Sequence, residues 1–478
     1  MEGLEISEVY YSYVKKSNLI FRYDSNFFLK EFIKNENLIR NKKHSTLKEI
    51  GVSLLSFGAY SLNNDVEYVD SGVPFIRGIN MKKGRIDFSN IIYISEKANA
   101  LLWKSEVKPE TVLLSMSGTI GDVAIASKKW NYPINSNQDI AKIHTDNKIN
   151  PYYLFSFLLS KYGQNYLRRE ARGSVQQHVF LSQMEMFEIP LFKNEFIIKI
   201  QKIVELSERL LANSQQSYTQ AETLLLETLG LKDFKPSNDP VNIKSFKESF
   251  AASGRLDAEY YQLKYEDYLK LIRSYSKGFK PLDEICHIKD NNFNPSEKIE
   301  YKYIELANIG KSGEVTGCTI DYGSELPSRA RRRVNTNDVI ISSIEGSLGS
   351  CALINKEFDN ALCSTGFYIL TSSTLNPESL LVLFKSEPMQ NILKKGCSGT
   401  ILTAIGKPEL LKIPIPIIES TIQKSIQELV KESSVLRLKS EQLLELAKTA
   451  VEKAIEENEE LALQYIEKSL LLMDEKSI

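Results

Sequence analysis

Alternating steps of three and four residues separate the apolar or small positions between Glu195 and Leu229. Those positions are Ile197, Ile200, Val204, Ser207, Leu211, Ser214, Tyr218, Ala221 and Leu225. The spacing predicts one long amphipathic helix with a single narrow apolar seam. Such a seam needs a second helix to cover it, because no other part of the same helix can do so.

The same alternation returns near the C-terminus. Its positions are Ile422, Ile426, Leu429, Ser433, Leu436, Ser440, Leu443, Ala447, Ala450 and Ala454. We therefore expect a second long helix that pairs with the first. Serines in both seams permit a close approach and weaken an isolated pair. Contacts from partner subunits along the flanks and a plain intramolecular coiled coil are both compatible with this pattern.

Six landmarks occur in the same order in both halves of the chain. The first copies are Arg22 to Phe28, Val73 to Gly84, Thr111 to Gly121, Asn150-Pro151, Gly173-Ser174 and Ile189-Pro190. The second copies are Arg255 to Tyr261, Tyr303 to Gly313, Val339 to Gly349, Asn376-Pro377, Cys397-Ser398 and Ile413-Pro414. The offset drifts only from 233 residues (Asp24 to Asp257) to 224 residues (Ile189 to Ile413). This ordered repetition indicates an internal duplication.

Each copy runs from strands through a helical hairpin and an extended loop to a long helix. This order predicts an α+β fold with an internal pseudo-twofold repeat, and not a regular βαβ series. The predicted divisions are an N-terminal arm (1–44), a first globular domain (45–194), a central long helix (195–229), a linker with a helical segment (230–274), a second globular domain (275–416) and a C-terminal long helix with its tail (417–478).

Length and composition add limits to this picture. A chain of 478 residues is too long for one hydrophobic core. Its net charge of −1 gives no global support for nucleic-acid binding, which would have to come from local patches. No run approaches the ~18 apolar residues of a membrane span, and Glu2 and Glu5 stand where a secretory signal is basic. We expect a cytoplasmic protein that is not attached to a membrane.

The residues that could bind metals or form disulfides are few and scattered. The cysteines are Cys286, Cys318, Cys351, Cys363 and Cys397, without CxxC spacing, and the four histidines show no HxxxH spacing. This pattern predicts reduced thiols and no metal site. Catalytic motifs are missing as well: Asn150-Pro151 is better explained as a helix start, and Pro408 follows Lys407 where a phosphate-binding loop has Ser or Thr. We predict no catalytic residues.

The duplicated landmarks resemble the specificity subunit of type I restriction–modification systems. The matching residues are Arg255-Leu-Asp257-Ala-Glu-Tyr260-Tyr261, Ser117-Gly118-Thr119-Ile120-Gly121, Gly173-Ser174 leading to Ile189-Pro190-Leu191, and Ser398-Gly399-Thr400 leading to Ile413-Pro414. The resemblance implies two tandem target-recognition domains, each reading one half of a split double-stranded DNA target. It also implies that the two long helices pair antiparallel and fix the gap between the half-sites.

The same resemblance implies partners. A subunit of this kind has no catalysis and no cofactor of its own. It holds two modification (methyltransferase) subunits, which bind S-adenosylmethionine, and through them the ATP-driven restriction subunits. The alternative is a non-catalytic nucleic-acid-binding or interaction scaffold of another phage-defence system, whose binding would be indifferent to duplex sequence.

Two basic clusters are the first candidates for DNA contacts. The cluster in the first domain comprises Arg77, Asn80, Lys82, Lys83 and Arg85. Cationic side chains neutralise phosphates or bind a guanine edge, and an asparagine suits adenine; the alternative is a solvated hairpin tip. In the second domain they are Arg329, Arg331, Arg332 and Arg333, a density that favours phosphate contact over a plain surface.

Polar turns and a loop supply the remaining candidates. They are Ser115, Ser117 and Thr119 in the first domain, Ser347 in the second, and Gln176, Gln177 and His178 in the extended loop. The glycines beside the hydroxyl groups permit a close approach to DNA. A tight hairpin kept for its geometry explains the turns equally well, and ordinary loop polarity explains the loop.

Overall fold

The computed structural model describes residues 7–17, 22–56, 66–82, 84–173, 177–400 and 402–475. The chain divides into two compact units, here called unit 1 (residues 1–211 and 438–478) and unit 2 (residues 212–437). The two predicted long helices are present as Asn194–Thr228 and Ser420–Glu456. Each of them supplies residues to both units. Among the described helices, none combines the length and the apolar character that crossing a membrane requires.

Unit 1 contains two main sheets besides its helices. Its shorter helices are Tyr11–Ser17, Ser25–Phe28, Lys30–Arg40, Leu47–Ile50, Gly78–Asn80, Glu96–Leu101, Trp103–Ser105, Pro151–Leu159, Lys161–Glu170, Leu181–Met184 and Glu459–Glu475. An antiparallel sheet has the order Val123–Ile125, Val112–Ser115, Ile140–His144, Ser53–Leu55. A mixed sheet has the order Tyr68–Val69, Ile92–Ile94, Val73–Ile76, Ile134–Ser136, Glu106–Val107. Two short pairs complete it: His44–Thr46 with Glu188–Pro190, and Met81–Lys82 with Arg85–Ile86.

Unit 2 is built in the same way. Its shorter helices are Phe250–Ser253, Ala258–Tyr261, Leu263–Arg273, Leu282–Ile285, Leu306–Asn308, Glu345–Ser347, Lys356–Phe358, Pro377–Lys385, Glu387–Gly396 and Lys407–Leu411. The antiparallel sheet has the order Cys286–Lys289, Phe367–Ser372, Val339–Ser342, Cys351–Leu353. The mixed sheet has the order Thr319–Tyr322, Glu300–Ile304, Leu362–Ser364, Ala330–Arg333. The short pairs are Phe279–Pro281 with Pro414–Pro416, and Cys397–Ser398 with Ala404–Ile405.

The predicted duplication is visible in the strand ladders. Val112 pairs with Ile143 in unit 1, and Val339 pairs with Leu370 in unit 2. Both strand pairs lie in the middle of a four-stranded antiparallel sheet. Both helical hairpins also begin alike, with an asparagine cap followed by proline at the first helical turn, as the sequence predicts.

The four seam serines of the long helices are buried. In unit 1 the Oγ of Ser207 donates to Ser440 O at 2.7 Å, and the Oγ of Ser440 donates to Ser207 O at 2.5 Å. In unit 2 the Oγ of Ser214 donates to Ser433 O at 2.7 Å. The serines therefore satisfy one another, so they cost little as buried polar groups while allowing the helix segments to approach closely.

The repeated Arg-x-Asp motif fastens the segment before each domain to the helical hairpin. Arg22 lies 2.7 Å from Asp24 and donates to Arg169 O at 2.9 Å, with its guanidinium over the ring of Phe27. Arg255 pairs with Asp257 at 2.6 Å, donates to Cys397 O at 2.8 Å and stacks on Tyr260. Phe27 anchors the first of these segments, since its side chain is 1% exposed.

Candidate nucleic-acid interface

Three segments that the sequence singled out meet on one face of unit 1. The loop around His178 forms a bridge with Ser117, and Val179 N donates to Met116 O at 3.0 Å. A Cβ built on Gly78 would lie 3.8 Å from Thr119 Oγ1 and 3.9 Å from Ser115 Oγ. The basic segment after strand Val73–Ile76, the polar turn and the extended loop are thus neighbours.

The side chains on this face differ in accessibility. Thr119 and Gln177 are exposed, and His178 is half-buried with its ring 4.8 Å from that of Phe180. Ser115 is buried, and its hydroxyl donates to Ser117 O at 3.0 Å. This hydroxyl therefore stabilises the turn, which agrees with the alternative of a tight hairpin kept for its geometry. Lys83 and Gln176, both predicted contacts, lie outside the described residues.

Asn80 has a structural role in place of the predicted contact with adenine. It is 1% exposed, its Oδ1 accepts from Arg77 N at 3.0 Å, and its Nδ2 donates to Asp87 O at 3.0 Å. Asn308 accepts from Glu305 N in the same way in unit 2. Neighbouring Arg77 donates to Asn90 O at 3.1 Å, while its buried Nε has no acceptor in the described part of the protein. This Nε is therefore an unsatisfied buried donor, which lowers stability and is not accessible to a ligand in this conformation.

Replacing Asn80 by alanine is expected to lower the unfolding free energy of unit 1 by about 2 kcal/mol, because two buried backbone groups lose their partner. Urea unfolding followed by tryptophan fluorescence measures this, since the two tryptophans, Trp103 and Trp130, both lie in unit 1. Asn308→Ala is the matched control and should leave this transition unchanged. Unaltered stability with a changed base preference at one position would instead restore the predicted adenine contact.

Arg85 is also placed differently from the prediction. The turn that carries it packs inward, because a Cβ on Gly84 would lie 3.4 Å from the side chains of Phe155, Leu159 and Leu444. The guanidinium of Arg85 donates to Ser207 Oγ at 2.9 Å and to Ser440 Oγ at 2.6 Å. Burial lowers the pKa of Arg85 to about 10. The predicted hairpin tip is therefore a contact with the long helices, and only Lys82 is an exposed cation among its described residues.

The arginine cluster of unit 2 lies on the edge strand Ala330–Arg333 of the mixed sheet. Arg331 is held by Asn294 Oδ1 at 2.6 Å and by Ser328 O at 3.1 Å. Arg333 is exposed and stacks on Phe293 at 3.8 Å, and Arg329 is exposed. Arg332 lies 5.9 Å from the ring of Tyr368, and its buried Nε and Nη1 have no acceptor in the described part of the protein.

A groove that the sequence analysis missed lies beside this strand. Its cavity of about 340 Å³ is lined by His287, Ile288, Lys289, Asp290, Asn291, Asn292, Phe293 and Arg333. Lys407 pairs with Asp290, and its hydrogen bond lowers the pKa of that carboxyl group. The polar run Lys289-Asp290-Asn291-Asn292 was the available signal, but only the folded sheet brings it to the arginines.

The turn with Ser347 repeats the arrangement of unit 1. The Oγ of Ser347 lies 3.0 Å from Ser342 Oγ, so the two hydroxyl groups hold the turn together. Ile405 N donates to Ser343 O at 2.8 Å, and Glu345 N donates to Thr403 O at 2.9 Å. Each unit therefore presents a turn and a following loop side by side, with different side chains.

Two segments of the chain, 39–212 and 277–445, match the family model of the type I restriction modification DNA specificity domain. The chain belongs to this family. It carries the specificity domain twice, so the resemblance stated from the sequence is confirmed. The role of the family is recognition of DNA within type I restriction–modification systems.

Solved structures of this kind are similar at low identity. A type I restriction–modification S subunit from M. genitalium is 14% identical, with a TM-score of 0.35, over 89% of this chain and 95% of that chain. The HsdS subunit from Thermoanaerobacter tengcongensis is 15% identical, with a TM-score of 0.29, over 87% of this chain and 97% of that one. A structure on complex assembly and conformational transition of the type I system is 15% identical, with a TM-score of 0.28, over 89% and 97%. No curated protein sequence matches significantly.

Proposed function

We propose that this specificity protein reads a two-part DNA target, with one half recognised by each unit, and that it has no catalytic activity of its own. The observation that carries the proposal is that each match to the specificity domain falls on a unit with an equivalent turn and loop but different side chains. Unit 1 offers Thr119, Gln177 and His178, whereas unit 2 offers exposed arginines. Different donors and acceptors read different base edges, so the two half-sites should differ.

The long helices would set the distance between the half-sites. In this proposal they pair antiparallel as a coiled coil, and the two copies are related by a pseudo-twofold axis. The buried serine contacts at Ser207 and Ser214 support a close and fixed pairing. The partners would be two modification subunits, which bind S-adenosylmethionine, and through them restriction subunits. The protein itself would bind no cofactor.

Coexpression with its methyltransferase partner should produce a split, asymmetric N6-methyladenine motif across the host genome. Single-molecule sequencing maps this motif, and deletion of the specificity gene should abolish it. Exchanging residues 45–194 for another recognition domain should change one half of the motif, because each half is read by separate side chains.

The matched control is the same exchange of residues 275–416, which should change the other half only. Methylation that is absent or unsplit, while the chain still assembles with its partner, would contradict the proposal. Binding indifferent to duplex sequence would then favour a nucleic-acid-binding scaffold.

A further inference from the structure

The inward-packed turn of unit 1 joins three parts of the molecule at one guanidinium. Arg85 comes from the recognition domain, Ser207 from one long helix and Ser440 from the other. Both serines are 0% exposed, and their hydroxyl oxygens lie 3.1 Å apart. Because one planar group donates to both hydroxyls, a rotation of the domain on the helices would break two hydrogen bonds together.

The electrostatic surroundings of Arg85 favour this position. Its charge is stabilised by the nearby carboxyl groups of Glu441 and Glu208, against the cost of burial. Burial raises the pKa of Glu208 to about 7, and the positive charge of Arg85 opposes that rise. The guanidinium thus interacts favourably with one acidic residue on each long helix.

Unit 2 has an equivalent turn with the opposite charge. A Cβ on Gly313 would lie 2.6 Å from the side chain of Leu381, so this turn also packs against a helix of its own unit. The next residue, Glu314, lies 3.7 Å from Arg437 of the second long helix, and both side chains are 14% exposed. Its carboxylate also accepts from Ser312 N at 2.9 Å. An acidic residue thus meets a basic helix position here, whereas in unit 1 a basic residue bonds to helix serines close to acidic residues.

We propose that Arg85 and Glu314 are positioning residues that fix each recognition domain on its own long-helix segments through oppositely charged contacts. This inference rests on the proposed function. Neither residue contacts DNA. Each holds its reading face at one angle, and that angle decides which gap between half-sites is accepted. Loosening a contact should leave the preferred bases unchanged and widen the range of accepted gaps.

Arg85→Gln in the complete complex with the methyltransferase is the first test. The substrates carry the same two half-sites, with the gap shortened or lengthened by about one base pair, one helical rise step of duplex DNA. Methylation of these shifted targets, relative to the preferred one, should rise roughly tenfold over wild type, as expected from losing a charged hydrogen bond. Glu314→Gln should act in the same direction, and Arg85→Lys should keep most of the discrimination.

Lys202→Gln is the matched control, since it removes one exposed positive charge from the first long helix. It should leave the accepted gap unchanged. A wild-type complex without any split motif would contradict the proposed function itself. If the motif is split but Arg85→Gln discriminates between gaps as strictly as wild type, the positioning role is wrong. Equal loss of methylation at every gap in Arg85→Gln and Arg85→Lys would also overturn it.

Discussion

Replacing Lys142 by isoleucine is expected to raise the unfolding free energy of unit 1 by about 3 kcal/mol at pH 7. Lys142 is 0% exposed. Its ammonium group donates to two neutral acceptors, Ser136 Oγ at 3.1 Å and Ile140 O at 2.9 Å. Burial lowers its pKa from 10.5 to about 7. A pKa shift of this size means that burying the ammonium destabilises the folded protein by about 4 kcal/mol at pH 7. Losing its hydrogen bonds offsets about 1 kcal/mol of the gain in stability from the substitution.

The duplication identifies a side chain that fits this site. Lys142 pairs with Leu113 in unit 1, and Ile369 pairs with Ile340 at the corresponding rung in unit 2. Ile369 is 1% exposed and belongs to an apolar cluster with Ala352. Ser136 keeps a hydrogen bond to Ser105 O when the ammonium is removed, so isoleucine leaves that hydroxyl satisfied.

The pH dependence follows from the direction of the shift. Between about pH 7 and 10.5 the unfolded chain binds more protons at Lys142 than the folded chain, so wild-type stability rises with pH across this window. Below pH 7 both states are protonated and the penalty is at its full value. The advantage of Lys142→Ile should therefore be largest at or below pH 7 and should fade towards pH 10.5.

Urea unfolding followed by tryptophan fluorescence at pH 6, 7 and 9, chosen to bracket the shifted pKa, measures this difference in unit 1. Ile369→Lys, in unit 2, is the reciprocal variant and should leave the tryptophan transition of unit 1 unchanged. A Lys142→Ile protein that is no more stable than wild type at pH 6 would show that relaxation or water around the ammonium removes the cost of burial.

Sequence periodicity predicted the features that depend on local spacing. The two long helices, the serines in their seams and the proline-started hairpins follow from patterns that one segment contains by itself. The repeated landmarks then predicted matching architecture, since equivalent rungs such as Val112 with Ile143 and Val339 with Leu370 need equivalent strands. These are the parts of the fold that a single sequence determines most directly.

The candidate contacts were harder to predict because charge does not show which way a turn faces. Arg85 and Lys82 stand three residues apart in one basic turn, yet Arg85 is half-buried and bonded to serines of the long helices, whereas Lys82 is exposed. Asn80 is a residue type that can bind a base edge, but its side-chain amide is hydrogen-bonded to two backbone groups. Long-range packing decides both cases. The acidic residue Glu314 at the equivalent turn was a signal that this position is not a shared phosphate contact.

Replacing both Arg329 and Arg333 by glutamine is expected to weaken binding of the complex to every duplex, specific or not, by roughly 10- to 100-fold near physiological salt. Both side chains are exposed: Arg333 lines the groove of unit 2, and Arg329 immediately precedes the edge strand. Phosphate contacts release counterions, so the slope of log affinity against log salt should fall by about two for the double variant. Fluorescence anisotropy over a salt series measures the slope.

Arg332→Gln, which removes one positive charge from the same strand, should behave differently. Its Nε and Nη1 are buried and have no acceptor in the described protein, and Tyr368 limits its orientation. Arg332 is half-buried with a restricted orientation, which suits a base edge better than a mobile surface charge does. The variant should therefore lose roughly 10- to 100-fold only on its own target and relax one position of the motif. Lys270→Gln with Lys424→Gln, both exposed in unit 2, removes two charges and is the charge-matched control for the Arg329 and Arg333 pair. If Arg332→Gln weakens all duplexes equally, Arg332 contacts the backbone. If the control weakens binding as much as the arginine pair does, net charge governs affinity and the edge strand has no special part in it.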